Sequence, residues 1–140
     1  VAVAMMEGNE AATRAYFSHM IRHWCHRKDA FDGVMEEFVA NFMRPGNLAG
    51  GFGWYRAAGP GRLAVMRGEA VLPPPITVPT CVRWGGHDPV LPLRFADNLG
   101  QVFADLDFAV FPDVGHFPHM EDPDRAADEI GRFFDALESR

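Results

Sequence analysis

Residues 80–92, TCVRWGGHDPVLP, decide how this chain is read. Thr80-Cys81-Val82-Arg83-Trp84 is a short β-rich run that stops at Gly85-Gly86, the pattern of a buried strand ending in a turn. Asp107 to Phe111 repeats the pattern and is closed by Pro112. Between them, Leu93 to Val102 reads as a helix. Asp122-Pro123 opens a last helix, with an acid at the N-cap and proline at the first helical position. Its core face is Ala126, Ala127, Ile130, Phe133, Phe134 and Leu137. Strand, loop, helix, strand, loop, helix is the alternation of a parallel sheet flanked by helices, so the fold class is α/β. Two strands are too few for a stable sheet alone.

Upstream the texture is helical. Residues 9–27 read as a helix with Asn9 as N-cap and Ala12, Tyr16, His19, Met20 and His23 recurring at spacings of three and four. Residues 31–43 read as a second, with Phe31, Val34, Met35, Phe38, Val39 and Phe42 as its apolar stripe. Pro45 disfavours helix at Arg44. The Gly-rich passage 46-GNLAGGFGWYRAAGPGR-62 allows a short helix or turn from Leu48 to Ala58. Pro73, Pro74, Pro75 and Pro79 favour extended chain and mark a boundary. The expected organisation is a helical region, 1–72, followed by an α/β region, 73–140.

Composition narrows the classes. The 140 residues suffice for one ordinary domain, and 48% hydrophobic with 23% charged is a globular balance. A net charge of −6 argues against nucleic acid, whose binders show a basic face. No apolar run reaches the ~20 residues needed to span a bilayer. The two cysteines, Cys25 and Cys81, are far apart and lack a CxxC partner, which argues for a reducing, cytoplasmic setting. The opening VAVAMMEGNE reads as a cut inside a longer chain.

The chemistry is concentrated in two loops. Ligands of open α/β sheets sit at the carboxyl ends of the strands. Here those ends carry 85-GGHDPVLP-92 and 112-PDVGHFPHME-121. An acid on one loop and a histidine on its neighbour can meet there. The carboxylate accepts the imidazole N–H, sets the tautomer and stabilises the imidazolium. The pair is Asp88 and His116, with Gly115 expected to permit a tight turn. His87 and His119 are expected to be loop or solvent residues. His19, His23 and His26 beside Cys25 form an HxxxH-type cluster without an acid, so no metal is expected there. No organic cofactor is implied. The serines are Ser18 and Ser139, neither between glycines, and no GxSxG or GxDxG turn exists. The relay pair is present without the nucleophile it would serve.

The run 76-ITVPTCVRWGGHDPVLP-92, then 113-DVGHFPHMEDPD-124 and an amphipathic tail helix, resembles the C-terminal end of α/β-hydrolase-fold enzymes. The segment 43-MRPGNLAGGFGWYRAAG-59 looks like the late cap segment of epoxide hydrolases and their haloacetate-dehalogenase relatives. The resemblance implies a helical cap, residues 1–72, before the last part of a hydrolase core, incomplete as given. It implies Asp88 as catalytic acid, His116 as base, and Tyr55 as a cap phenol that hydrogen-bonds an epoxide oxygen. In these enzymes an aspartate forms an alkyl ester, which histidine-activated water hydrolyses. That aspartate would lie upstream of this chain. Tyr16 is too close to Tyr55 to take the second cap-tyrosine role. Trp84 and Phe117 flank the pair and are candidate pocket-lining residues. Arg56 is a candidate for holding a carboxylate substrate.

The expected function is therefore hydrolysis of a small molecule, with epoxides leading. Haloacetate dehalogenation, and serine esterase or C–C hydrolase chemistry, are the alternatives on the same fold. A catalytically inactive fragment or interaction module, completed by a partner strand or a second copy of itself, is the alternative of another class.

Overall fold

The computed structural model describes residues 2–69 and 73–139. The chain forms two compact units, one of Val1–His19 with Gly33–Pro73 and the other of Met20–Asp32 with Pro74–Arg140. The division falls within the proline run. The segment Met20–Asp32, however, belongs with the second unit rather than with the rest of residues 1–72. The reason is backbone hydrogen bonding between this segment and the loop that carries His116, described below.

The first unit is helical. It holds α1 (Ala2–Met6), the start of α2 (Glu10–Trp24), α3 (Met35–Phe42) and α4 (Asn47–Met66). Asn9 caps α2, its Oδ1 accepting the Ala12 N–H at 3.0 Å. Phe17 stacks on Phe42 (4.2 Å between centroids) and meets Phe38 edge-on (5.3 Å). Around them Met6, Val39 and Leu48 are buried. Thr13 is fully buried, and its hydroxyl donates to the Met6 and Asn9 carbonyls. On the surface, the Arg14 guanidinium forks onto both Glu36 oxygens at 2.6 and 2.7 Å.

Two sequence expectations change here. The second helix begins at Met35, not at residue 31, because turns at Arg27–Ala30 and Asp29–Asp32 precede Gly33. Phe31 therefore leaves the helical stripe and is buried in the second unit. The Gly-rich passage is not a short helix over 48–58 but the 20-residue α4, with Pro60 inside it. Its glycines at 50, 51, 53, 59 and 61 all keep negative φ. Alanines and Leu63 supply helix propensity where glycine withholds it. The helix stops at Gly68, whose φ is +69°. There Glu69 N donates to Ala64 O and Gly68 N to Val65 O, the paired bonds of a left-handed C-terminal cap. Replacing Gly68 by alanine is expected to cost about 1–2 kcal/mol of unfolding free energy, from the side-chain clash in this conformation. Chemical denaturation of the two proteins checks this, and equal midpoints would refute it.

The second unit carries the sheet. Strands β1 (Thr80–Gly85) and β2 (Leu106–Phe111) pair in parallel, with Thr80 opposite Leu106 and Gly85 opposite Phe111. The expected helix over 93–102 is broken into a 3-10 turn, Leu93–Ala96, and a one-turn helix α5 (Leu99–Val102). Asp97 and Asn98 separate them, residues whose side chains compete for backbone groups. After β2 come a short α6 (Pro118–Glu121), not anticipated from sequence, and α7 (Pro123–Glu138).

Arg83 ties the layers together. It donates to both Asp107 oxygens (3.2 and 2.8 Å) and to Glu129 on α7 (3.1 Å). This guanidinium holds the Asp107 carboxyl below the usual carboxylate range. The core under α7 is small: Phe111, Val114 and Ala126. Of the expected α7 core face only Ala126 is buried, while Ile130 and Phe134 are 47% and 58% exposed. Two strands about 5 Å apart cannot cover a 16-residue helix about 24 Å long. Among the described residues, no helix is long and apolar enough to cross a membrane. Among the described residues the chain is a mixed α/β protein with a two-stranded parallel sheet.

Candidate functional site

Because Gly85 and Phe111 are partners in the ladder, the two following loops leave the sheet side by side. They are then stitched together: Gly86 N donates to Phe111 O at 2.8 Å, and His87 N to Val114 O at 3.0 Å. The approach is so close that a side chain on Gly85 would sit 1.7 Å from the Gly115 carbonyl oxygen. A methyl on Gly86 would be 3.1 Å from Pro112 Cα. The Gly85-Gly86 pair therefore does more than end a strand. It lets the acid loop and the histidine loop touch.

Asp88 divides its two oxygens between structure and chemistry. Oδ1 accepts the N–H groups of Val90 (2.8 Å) and Leu91 (2.9 Å), which closes its own loop. Oδ2 lies 2.8 Å from His116 Nδ1. The Asp88 side chain is 6% exposed and that of His116 21%. A carboxylate can only accept, so Nδ1 carries the proton and donates it. That leaves Nε2 as the lone-pair nitrogen, able to take a proton from water or an alcohol. The turn-forming role that Asp-Pro sequences suggest and the relay role are both present, one on each oxygen.

The histidine loop is held at three consecutive amides. Gly115 N donates to Glu121 Oε2 (2.9 Å), His116 N to the Trp24 carbonyl (3.0 Å), and Phe117 N to Glu121 Oε1 (3.1 Å). Glu121 Oε2 also accepts the N–H groups of His26 and Arg27, at 2.7 and 2.9 Å. Gly115 does not serve through a special turn, as expected from sequence, since its φ is not positive. A side chain there would lie 2.5 Å from Trp24 O and 2.6 Å from His26 N. Close backbone approach is what demands glycine. Several carbonyls at and just beyond the end of α2 are engaged: Ile21 O by Cys25 N, Trp24 O by His116 N, and Arg22 O and Cys25 O by the Lys28 ammonium.

Aromatic rings enclose the imidazole. Trp24 meets it edge-on at 5.1 Å and Phe117 at 4.9 Å, and Phe31 in turn packs on Phe117 at 5.1 Å. Phe117, a candidate pocket residue, is thus part of the wall that orients His116. Trp84, the other, donates its indole N–H to the Leu91 carbonyl at 2.8 Å and braces the acid loop. Tyr55 belongs to the first unit, on α4, where it is 56% exposed beside Trp54 and Phe52. Arg56 donates to the Ala49 carbonyl of its own helix. His119 is exposed, and His87 is exposed and stacked on His26 with centroids 4.0 Å apart.

Cys25 is the one buried thiol near His116. Burial pushes it up to about 11, with the Glu121 carboxylate adding to the effect, so at neutral pH it is a thiol rather than a nucleophilic thiolate. Among the described residues no group of three or more His, Cys, Asp or Glu is arranged to hold a metal. Trp24 and Glu121 are functional-site residues that the sequence motifs do not single out. Pro118 at the first helical position with an acid three residues on is a helix-start signature that pointed to Glu121. Nothing local pointed to Trp24, whose role depends on a contact between residues 92 apart.

No family model matches the chain. A 61-residue stretch is 36% identical to uncharacterised proteins of Mycobacterium tuberculosis and Mycobacterium bovis, covering 44% of this chain and 18% of theirs. Among solved structures, the fold is similar to the crystal structure of Cfl2 wild-type from Burkholderia cenocepacia. The TM-score is 0.68 at 25% identity, covering 86% of this chain and 40% of that one. The chain thus spans less than half the length of the proteins it matches. The likeness supports the mixed α/β fold over most of the chain.

Proposed function

We propose that this chain carries the acid–base part of an α/β-hydrolase-fold enzyme. In this reading the helical residues belong to its cap, and its nucleophile lies outside these 140 residues. The observation that carries the reading is the 2.8 Å contact between His116 Nδ1 and Asp88 Oδ2 at the carboxyl ends of adjacent parallel strands. The leading substrate is a small epoxide. An aspartate from the remainder of the enzyme attacks an epoxide carbon, and the C–O bond breaks to give an alkyl ester and an alkoxide. The resemblance of residues 43–59 to a cap segment assigns the Tyr55 phenol to that oxygen. His116 Nε2 then takes a proton from water as the water oxygen attacks the ester carbonyl. Asp88 stabilises the imidazolium so formed; ester cleavage then regenerates the aspartate, and the imidazolium proton and the second water proton pass to the two oxygens of the released diol, leaving His116 neutral again.

The test is His116→Ala in an intact protein that contains these residues. Incubated with an epoxide panel, it should accumulate a covalent adduct, read as a mass increment on the peptide carrying the nucleophile. Released halide from haloacetates in the parent protein would move the substrate assignment to dehalogenation. An adduct on serine would move it to an esterase. Near-normal turnover by His116→Ala would refute the reading altogether.

A further inference from the structure

Glu121 is only 3% exposed, and its carboxylate accepts four backbone N–H groups. A carboxylate so far out of water is costly unless its oxygens are satisfied. Hydrogen bonds to an ionised acceptor are also roughly twice as strong as neutral ones. A residue needed only to start α6 would require one such donor, Phe117 N. Three more converge on the other oxygen, at 2.7 to 2.9 Å.

The origin of the donors is informative. Gly115 and Phe117 flank His116 on both sides. His26 and Arg27 follow the end of α2, and the last residue of that helix, Trp24, supplies the carbonyl that takes His116 N. Arg27 closes the circuit by donating from its guanidinium to Glu121 O at 2.7 Å. With amides 115, 116 and 117 all held, the peptide planes on either side of His116 Cα cannot rotate. The direction of its Cα–Cβ bond is then set. Trp24 and Phe117 restrict the remaining side-chain rotation, and the ring meets Asp88.

We propose that Glu121 is the positioning residue of the relay: it aims His116 at Asp88 by gripping the backbone on both sides of the histidine and clamping it to the Trp24–Arg27 segment. The inference rests on His116 being the base of the proposed hydrolase. Glu121 touches no reacting atom. It acts by reducing the freedom of the imidazole, so its loss should loosen the Asp88–His116 hydrogen bond more than it loosens neighbouring ones.

The experiment is proton exchange by NMR in the chain labelled with 15N-histidine and 15N-tryptophan. The His116 Nδ1–H reports the relay. The Trp84 indole N–H, bonded to Leu91 O, is the reference for general loosening of the acid loop. In Glu121→Gln the amide group turns its own N–H toward backbone donors. His116 Nδ1–H should then exchange about tenfold faster or more, with the Trp84 proton changed less than about twofold. Equal acceleration of both protons makes Glu121 a general staple and overturns the proposal, as does no acceleration. Asp88→Asn separates the two ideas. If it removes the His116 signal while Glu121→Gln leaves it, the relay stands and the positioning role falls. If Asp88→Asn leaves the signal unchanged, the relay and the inference built on it both fall. Should Glu121→Gln not fold, amide exchange in the unaltered chain decides. His26, Arg27, Gly115 and Phe117 should exchange as one protected group, and unprotected amides there overturn the proposal.

Discussion

Asp88→Asn is expected to lower turnover of the intact hydrolase by about ten-thousandfold. The size follows from which way the new amide must face. Oδ1 of Asp88 accepts two backbone N–H groups, from Val90 and Leu91. Asparagine can keep both bonds only by leaving its oxygen there, which puts its NH2 where Oδ2 faced His116 Nδ1. A donor now faces Nδ1, so Nδ1 must become the acceptor and the proton moves to Nε2. The nitrogen that should take a proton from water already holds one. The opposite orientation would aim the NH2 at two amide donors, so the loop itself enforces the wrong tautomer. Turnover of the parent and the variant checks the rate. Nitrogen-15 chemical shifts of the His116 ring check the cause, because the Nδ1–H form should give way to the Nε2–H form. A variant that keeps the Nδ1–H tautomer and its activity would remove Asp88 from the mechanism.

Gly85→Ala is expected to have the largest effect on stability, about 3 kcal/mol or more. A β-carbon at Gly85 would stand 1.7 Å from the Gly115 carbonyl oxygen and 3.0 Å from that of Val114. Both obstacles are backbone, so neither can rotate aside. The histidine loop must move, and with it the His87 N to Val114 O bond and the grip of Glu121 on Gly115. A buried carboxylate would then be left short of donors, which is where most of the cost arises. Gly131→Ala provides the contrast. No atom lies within 4 Å of a β-carbon there, inside α7. Alanine at such a site stabilises a helix by about 0.5–1 kcal/mol. Denaturation of the two variants beside the parent should move in opposite directions. A Gly85→Ala protein as stable as its parent would show that the two loops do not meet this closely.

How much of this was legible in the chain differs by element. Strand β1 and strand β2 fell where the β-rich runs and their Gly and Pro stops placed them. So did the Asn9 cap and the start of α7 at Asp122-Pro123. Those features depend on local preferences of a few residues, which operate wherever the segment ends up. Helix α4 did not, because Gly and Pro read locally as breakers. A glycine tolerates helical φ as well as any other, and only the surrounding helix decides that it will adopt it. The split at Asp97-Asn98 departs from expectation for the opposite reason: the apolar pattern of 93–102 suggests one helix, and two residues that favour turns interrupt it. The α7 face was read correctly as apolar and wrongly as core, since burial depends on how much sheet stands opposite.

The amino-acid order by itself determined the two loops, Gly85 to Pro92 and Pro112 to Glu121, and hence that Asp88 and His116 stand at neighbouring strand ends. Parallel pairing of consecutive strands carries that result, because it places equivalent ends side by side. Only the tertiary structure decided what holds the pair. It showed one oxygen of Asp88 closing its own loop and the other meeting the imidazole. It replaced a turn argument for Gly115 with a close-approach argument. It also ended α2 at Trp24, where the sequence predicts helix through residue 27, and brought residues 24–27 against the histidine loop through Glu121. Contacts between segments more than 90 residues apart leave no trace in local periodicity. They appear only when a buried carboxylate must find its donors.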